Sequence, residues 1–246
     1  FQTSTGGGKV VVMLSWMSAK IGYNNLLKST IKLAKQAIKN ANISPEDIGL
    51  IVHGGVFREH FRTEPAFATH IHGGLNIHCT DISFDSQSCF SFDVTDGSCS
   101  PHVALNSIAD ILPSLENKFA LLCVGDDRPT KHCEWDFESY CVVAVLGLSG
   151  EGAKLISVEY DNSNFDANFI TTGYFDEKIK ANRFTEFGSI PRQNIESRTG
   201  FYSGDSEWLS GKHMHEFLQK LDGQNDTLEH CIVDRSGKST TAKWEF

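Results

Sequence analysis

The amino-acid sequence predicts a layered α/β domain, and three observations support this fold class. Apolar runs of strand length recur through the first 150 residues, amphipathic helix patterns separate them, and Gly, Pro or Asn residues mark the junctions. The apolar runs have no alternating polar face, so their strands should be covered by helices on both sides. A chain of 246 residues with 40% hydrophobic residues is long enough for one large domain or two small ones.

The first half of the chain shows this alternation most clearly. Its predicted strands are Val10 to Met17, Ile48 to His53, "CFSFDV", "FALLCVGDD" and Ser139 to Ser149. Between them, the sequence predicts an amphipathic helix from Leu26 that ends before Pro45, a short helix after Pro65, and a helix from about Cys99 to Leu112. We expect the last of these helices to be buried beside a central strand that contains Phe92 to Val94.

The second half is less regular. A strand at "GEGAKLISVEY" is followed by residues 161–206, which show no clear period, then by a helix from about Glu207 to Leu221 and strands at "HCIVD" and "TTAKWEF". We therefore divide the chain into residues 1–8, a leader or expression remnant, residues 9–150, and a shorter second half at residues 151–246.

Composition excludes several classes of function. The net charge of −9, from 31 acidic and 22 basic residues without a basic run, argues against nucleic-acid binding. Seven cysteines without a CxxC pair favour neither a disulfide framework nor a zinc site, and they fit a reducing cytoplasm. The apolar run at Val10 is too short to span a bilayer. We expect no metal, no cofactor and no membrane partner.

Three smaller features of the sequence allow a purely structural interpretation. "DRSGKST" lacks the first Gly of a phosphate loop and is better interpreted as a turn between strands. The carboxylates of Asp126 and Asp127 at a strand end either serve catalysis or cap the following segment. Without ligand spacing around them, five histidines are interpreted as surface or loop residues: His53, His60, His70, His72 and His78.

The stretch "FDVTDGSCSPHVAL" predicts a strand that turns through Gly97 into a helix. The first backbone N–H groups of a helix have no partner within the helix and favour negative charge. A thiol at such a turn is acidified, and an acyl oxyanion beside it is stabilised. The turn is therefore the candidate catalytic position, with Ser98 and Cys99 as candidate nucleophiles.

This stretch, together with "AIKNANISPEDIGLIVHG" and "FALLCVGDD", resembles the type III beta-ketoacyl synthases of the thiolase superfamily, which condense acyl thioesters. The resemblance covers roughly Leu26 to Leu148. It implies a thiolase-like layered α-β-α-β-α fold, here with a shortened C-terminal half.

The resemblance also shows where this chain departs from the family. In the family, the nucleophilic cysteine stands at a fixed number of residues from the Phe of the preceding strand and from a Leu of the following helix. The same distances, counted from Phe92 and back from Leu105, place Ser98 and not Cys99 at that position. The family's catalytic His and Asn have no counterparts, and Asp234 stands near the position of the His. Cys99 should face elsewhere, because one residue along a helix turns a side chain by about 100°.

Three hypotheses follow. The first, for which Ser98 is inactive, is a non-catalytic subunit of a condensing or acyl-transfer enzyme in secondary metabolism. It resembles the silent subunit of the heterodimeric enzyme that makes alkylquinolone signals. Its partner would be a Cys-bearing ketosynthase homologue that brings acyl-CoA or acyl carrier protein. The second is an acyltransferase that uses Ser98 or Cys99, with His102 on the next helical turn as base. The third is an unrelated α/β binding protein.

Overall fold

The computed structural model describes residues 10–58, 66–78, 88–128, 137–165, 171–176, 181–187, 201–204, 208–221, 226–234 and 236–246. Residues 1–8, interpreted above as a leader, lie outside this part of the chain. Its strands are β1 Val11–Lys20, β2 Ile48–Gly54, β3 Phe90–Val94, β4 Phe119–Gly125, β5 Tyr140–Gly147, β6 Ala153–Asp161, β7 Thr171–Asp176, β8 Ala181–Phe187, β9 Phe201–Ser203, β10 Leu228–Val233 and β11 Ser239–Glu245. Its helices are α1 Leu26–Asn40, α2 Phe67–Leu75, α3 Ser100–Ile111 and α4 Ser210–Leu221.

Nine strands form one sheet in the order β3-β2-β4-β5-β1-β6-β11-β10-β9, while β7 and β8 pair with each other. The prediction that Phe92 to Val94 lie in a central strand is wrong, because β3 is an edge strand that pairs only with β2 among the described residues. The sequence of β3 predicts a strand, but a local strand pattern does not determine which strands are neighbours.

The two halves of the sheet repeat one topology. In the first half β1 pairs antiparallel with β5, β5 pairs antiparallel with β4, and β4 pairs parallel with β2. In the second half β6, β11, β10 and β9 follow the same order with the same directions. The halves join where β6 pairs with Val11 to Met13 of β1. Helix α4 precedes β10 as α3 precedes β4, so the two helices occupy equivalent places in the repeat.

The helices divide into an inner and an outer layer. One buried cluster joins Leu105 of α3 and Phe217 of α4 to inward-facing residues of both half-sheets, among them Leu50 and Trp244. A second cluster packs α1 and α2 on the outer face of the first half-sheet. The predicted burial of residues 99–112 is confirmed, because Ala104, Leu105 and Ile108 are fully buried. Each such Leu or Ile side chain contributes about 1.5–3 kcal/mol to folding.

Residues 161–206, which carry no clear period, include the short strands β7, β8 and β9. Sequences such as "TTGYFD" mix polar, glycine and aromatic residues, so they lack the alternation that identifies a strand. None of the described helices is long and apolar enough to cross a membrane.

Candidate active site

The turn between β3 and α3 lies at the carboxyl ends of β2 and β3, where Gly54 and Val94 are neighbours in register. Gly97 has a left-handed backbone (φ 55°), which lets the chain reverse direction before the helix. Ser98 follows it and is buried, with 4% of its surface exposed. Its hydroxyl donates a hydrogen bond of 2.8 Å to the backbone carbonyl of Trp208. A backbone carbonyl oxygen accepts a hydrogen bond but is too weak a base to remove the hydroxyl proton, so this contact does not activate Ser98 as a nucleophile.

The carboxylate of Asp234 lies directly against this turn. Its Oδ2 accepts the backbone N–H of Ser98 at 2.8 Å, and its Oδ1 accepts the N–H of Ser236 at 2.8 Å. The side chain is 5% exposed. A Cβ atom added to Gly97 would collide with Asp234 Oδ2, so the carboxylate fits closely against the glycine. The N–H group that could face an external anion is therefore occupied from within the chain.

The segment "DRSGKST" holds Asp234 in this position. It links β10 to β11 as a tight turn, in which Gly237 donates to the Asp234 carbonyl at 2.9 Å and the Asp234 N–H bonds to the Lys238 carbonyl at 2.8 Å. The Lys238 ammonium pairs with Asp96, which precedes Gly97. The interpretation of this motif as a turn between strands is confirmed, and the turn is tied to the β3–α3 junction at both Asp234 and Lys238.

The Cys99 side chain contacts a different part of the chain from the Ser98 side chain. Cys99 is fully buried, and its Sγ lies 3.8 Å from the carbonyl oxygen of Ile232 on β10. Burial, as the largest cause, raises the pKa of the thiol to about 12. The thiolate is the reactive form of cysteine, so this thiol is protonated and inert near neutral pH.

His102, in the first turn of α3, is also fully buried. Its Nδ1 lies 2.8 Å from Thr240 Oγ1, and its Nε2 lies 3.0 Å from Nδ1 of His230. Burial lowers the pKa of the ring to about 3, so the imidazole is neutral. Both ring nitrogens are engaged with β10 and β11, and neither is bonded to Ser98.

Comparisons with known proteins bear on this arrangement. No family model matches the chain. Among curated proteins, it is 29% identical over 145 residues to the beta-ketoacyl-[acyl-carrier-protein] synthase III of Rickettsia akari, covering 58% of this chain and 41% of that protein. It is 27% identical over 152 residues to the Campylobacter jejuni enzyme of the same name, covering 62% and 43%. The chain thus spans about two fifths of the length of these relatives.

Solved structures extend the likeness over nearly the whole chain. An OleA variant from Xanthomonas campestris matches with a TM-score of 0.65 and 12% identity, covering 96% of this chain and 98% of the other. The tetronic acid condensing enzyme AbyA1 matches with a TM-score of 0.63 and 13% identity, covering 96% and 100%. The fold is that of the thiolase-like condensing enzymes. The layered fold class predicted from the resemblance is confirmed.

In this thiolase-like chain, three aspartates at strand ends cap backbone N–H groups. Asp93 accepts from Phe67 and Ala68 at the start of α2. Asp127 accepts from Asn25 and Leu26 at the start of α1. Asp126 accepts from Val56 and Phe57, which follow β2. Of the two interpretations left open for Asp126 and Asp127, the described contacts fit capping, but the N–H groups that they cap precede β4 and do not belong to the following segment.

The histidines need a correction and an addition. His53 is not a surface residue: it is fully buried on β2, with Nδ1 3.8 Å from Asp93 Oδ1, and burial lowers its pKa to about 4. The strand signal of "IGLIVHGG" already placed it in the sheet. His213 and His230 are fully buried beside His102, and burial together with the nearby His102 and His213 lowers the pKa of His230 well below its ordinary value.

Sequence reasoning missed this histidine cluster, defined here as His102, His213 and His230. The His230 ring stacks on Phe217 at 4.1 Å between centroids, so the cluster lies against the inner aromatic core. His102 and His230 are 128 residues apart, and no local spacing signals their contact. Among the described residues, no group of three or more His, Cys, Asp or Glu is placed to hold a metal ion.

Proposed function

We propose that this chain is a non-catalytic, ketosynthase III-like subunit of a heteromeric condensing or acyl-transfer enzyme in secondary metabolism. A Cys-bearing ketosynthase homologue would carry out the chemistry, with acyl-CoA or acyl carrier protein reaching that partner's cysteine. The observation that carries the proposal is the bond from Ser98 N–H to the Asp234 carboxylate at 2.8 Å. This bond occupies the Ser98 N–H, which is then not available to stabilise the oxyanion of acyl transfer.

The neighbouring side chains support the same conclusion. A useful nucleophile needs a lowered pKa or an adjacent base. The thiol of Cys99 has a raised pKa, and the residue is fully buried. The Ser98 hydroxyl is bonded to a backbone carbonyl. The rival interpretation, an acyltransferase with His102 as base, requires His102 to leave both Thr240 and His230 before it can reach Ser98.

The edge of the sheet supports a role in pairing. Strand β3 ends the sheet on the side of the Ser98 turn, and Phe90 on this strand is 55% exposed. The Phe90 and Phe92 rings lie 5.4 Å apart and form a small aromatic surface. Among the described strands only β2 pairs with β3, and a strand edge that carries an exposed aromatic side chain is a liability unless another chain covers it. A second thiolase-like subunit that pairs sheet to sheet would cover this edge.

Incubation with acyl-CoA tests whether the chain itself accepts an acyl group. We expect intact-mass spectrometry to detect no stoichiometric adduct on the wild-type protein, because neither Ser98 nor Cys99 is activated. Matched Ser98→Ala and Cys99→Ala variants serve as controls, and an active beta-ketoacyl synthase III serves as the positive control. An adduct that is lost in Ser98→Ala and kept in Cys99→Ala would refute the proposal in favour of a serine acyltransferase.

A further inference from the structure

The internal repeat places two aspartates in equivalent positions. Asp126 follows the end of β4, and Asp234 follows the end of β10, which is the matching strand of the second half. Asp126 Oδ2 accepts a hydrogen bond from the hydroxyl of Ser210 at the start of α4. Asp234 Oδ2 accepts the N–H of Ser98 just before α3. Each half therefore sends a carboxylate to the beginning of the buried helix of the other half.

The two contacts differ in the hydrogen-bond donor that each carboxylate engages. At α4 the bond goes to a serine hydroxyl, and the rest of the Asp126 carboxylate caps Val56 and Phe57 within its own half. At α3 the bond goes to the backbone N–H of Ser98, at the end of the helix that favours negative charge. Both oxygens of Asp234 are used, and 95% of the side chain is buried. The carboxylate thus has the chemistry of an anionic ligand that belongs to the chain.

We infer that Asp234 acts as an internal anionic ligand, whose carboxylate occupies the anion-binding position of the Ser98 turn and excludes an external carboxylate or oxyanion from it. The inference deepens the proposed function by naming the group that keeps the turn silent. It rests on that function for its meaning. The experiment below uses the isolated chain without partner or thioester, so its failure would leave the proposed pairing and the acylation test untouched.

Chemical rescue tests the inference. Asp234→Ala removes the carboxylate and vacates its position, so small carboxylates should bind there. We expect sodium formate to raise the melting temperature of Asp234→Ala in a saturable way by about 2–4 °C, relative to sodium chloride of equal ionic strength. In the same titration, the amide resonance of Ser98 should move in a spectrum of protein labelled with ¹⁵N-serine. Wild-type protein should show neither response, because its site is filled.

Two matched variants make the test specific. Asp234→Asn keeps a side-chain oxygen in the position, so formate should not bind, but the Ser98 amide resonance should differ from wild type because the acceptor has lost its charge. Asp126→Ala removes the equivalent carboxylate of the other half, so any formate effect there should leave the Ser98 amide unmoved. A folded Asp234→Ala protein without a formate-specific shift at Ser98 would overturn the inference. If that variant does not fold, an Asp234→Asn spectrum with Ser98 unchanged would overturn it as well.

Discussion

Acidification from pH 7 to pH 4.5 is expected to unfold this protein, chiefly because its buried histidines must take up protons. Burial lowers the pKa of His53 to about 4 and that of His102 to about 3, while the pKa of His230 falls well below its ordinary value. A histidine whose pKa is lowered by folding stabilises the folded state fully above the unfolded-state pKa of about 6.5. That stabilisation is lost progressively as the pH falls from about 6.5 towards the folded-state pKa.

The free energy lost on histidine protonation, compared with the total stability, decides whether the protein unfolds. His53 and His102 each cost about 1.4 kcal/mol per pH unit below pH 6.5, so the two together cost on the order of 5 kcal/mol by pH 4.5, and His230 acts in the same direction. A total stability of about 5–15 kcal/mol is ordinary for a domain, so the loss is comparable to the whole. Asp126 acts in the opposite direction, because burial raises its pKa and its protonation in acid favours the folded state. One such carboxyl offsets only part of the histidine effect.

Urea unfolding at several pH values measures this dependence. We expect His230→Phe, which replaces a ring already stacked on Phe217, to move the acid midpoint to lower pH. His70→Gln changes a half-buried histidine on α2 outside the cluster and serves as the control. A free energy of unfolding that stays flat between pH 7 and pH 4.5 would contradict the account of a neutral histidine core.

Replacement of Phe90 by Asp is expected to weaken association with a ketosynthase partner by about 30-fold or more, the effect of a strong interface residue. Phe90 is 55% exposed at the amino end of β3, the edge strand of the sheet that leads into the Ser98 turn. An obligate interface buries about 2,000–5,000 Å² of surface in total and is largely apolar, so the isolated wild-type chain should also self-associate or aggregate. Phe90→Asp should reduce both self-association and partner binding.

Light scattering of the isolated chain and affinity purification after co-expression with the partner measure these two effects. Tyr23→Asp provides a matched control, because Tyr23 is also a large exposed side chain, at 41%, and lies between β1 and α1. If Phe90→Asp and Tyr23→Asp change association equally, the β3 edge has no special role in it. A wild-type chain that is a stable monomer and recovers no partner would count against pairing altogether.

Local pattern was enough to predict most of the fold. The helix at α3 follows from apolar residues at helical spacing after a Gly turn, and β4 and β5 follow from uninterrupted apolar runs. The edge position of β3 could not be predicted, because strand order depends on long-range pairing that its own five residues do not encode. The division into residues 9–150 and 151–246 stays a prediction.

The candidate site was predicted only in part, because it also depends on contacts between distant parts of the chain. Counting within one short motif is enough to put Ser98 at the turn and to turn Cys99 away from it. The groups that decide the chemistry come from the other half of the chain. Asp234 is 136 residues from Ser98, and Thr240 is 138 residues from His102. Position near a family motif singled out Asp234, but only the folded chain shows that its carboxylate accepts the Ser98 amide.

The central claim is that chemistry belongs to a partner and not to this chain, and the condensing activity of the reconstituted complex tests it most directly. The complex should be formed from this chain and a Cys-bearing ketosynthase of the same gene cluster, and product formation from acyl-CoA or acyl carrier protein should be followed. Activity is expected to survive Ser98→Ala in this chain and to vanish when the partner's nucleophilic cysteine is replaced by alanine. Activity that is lost with Ser98→Ala in an intact complex would contradict the claim.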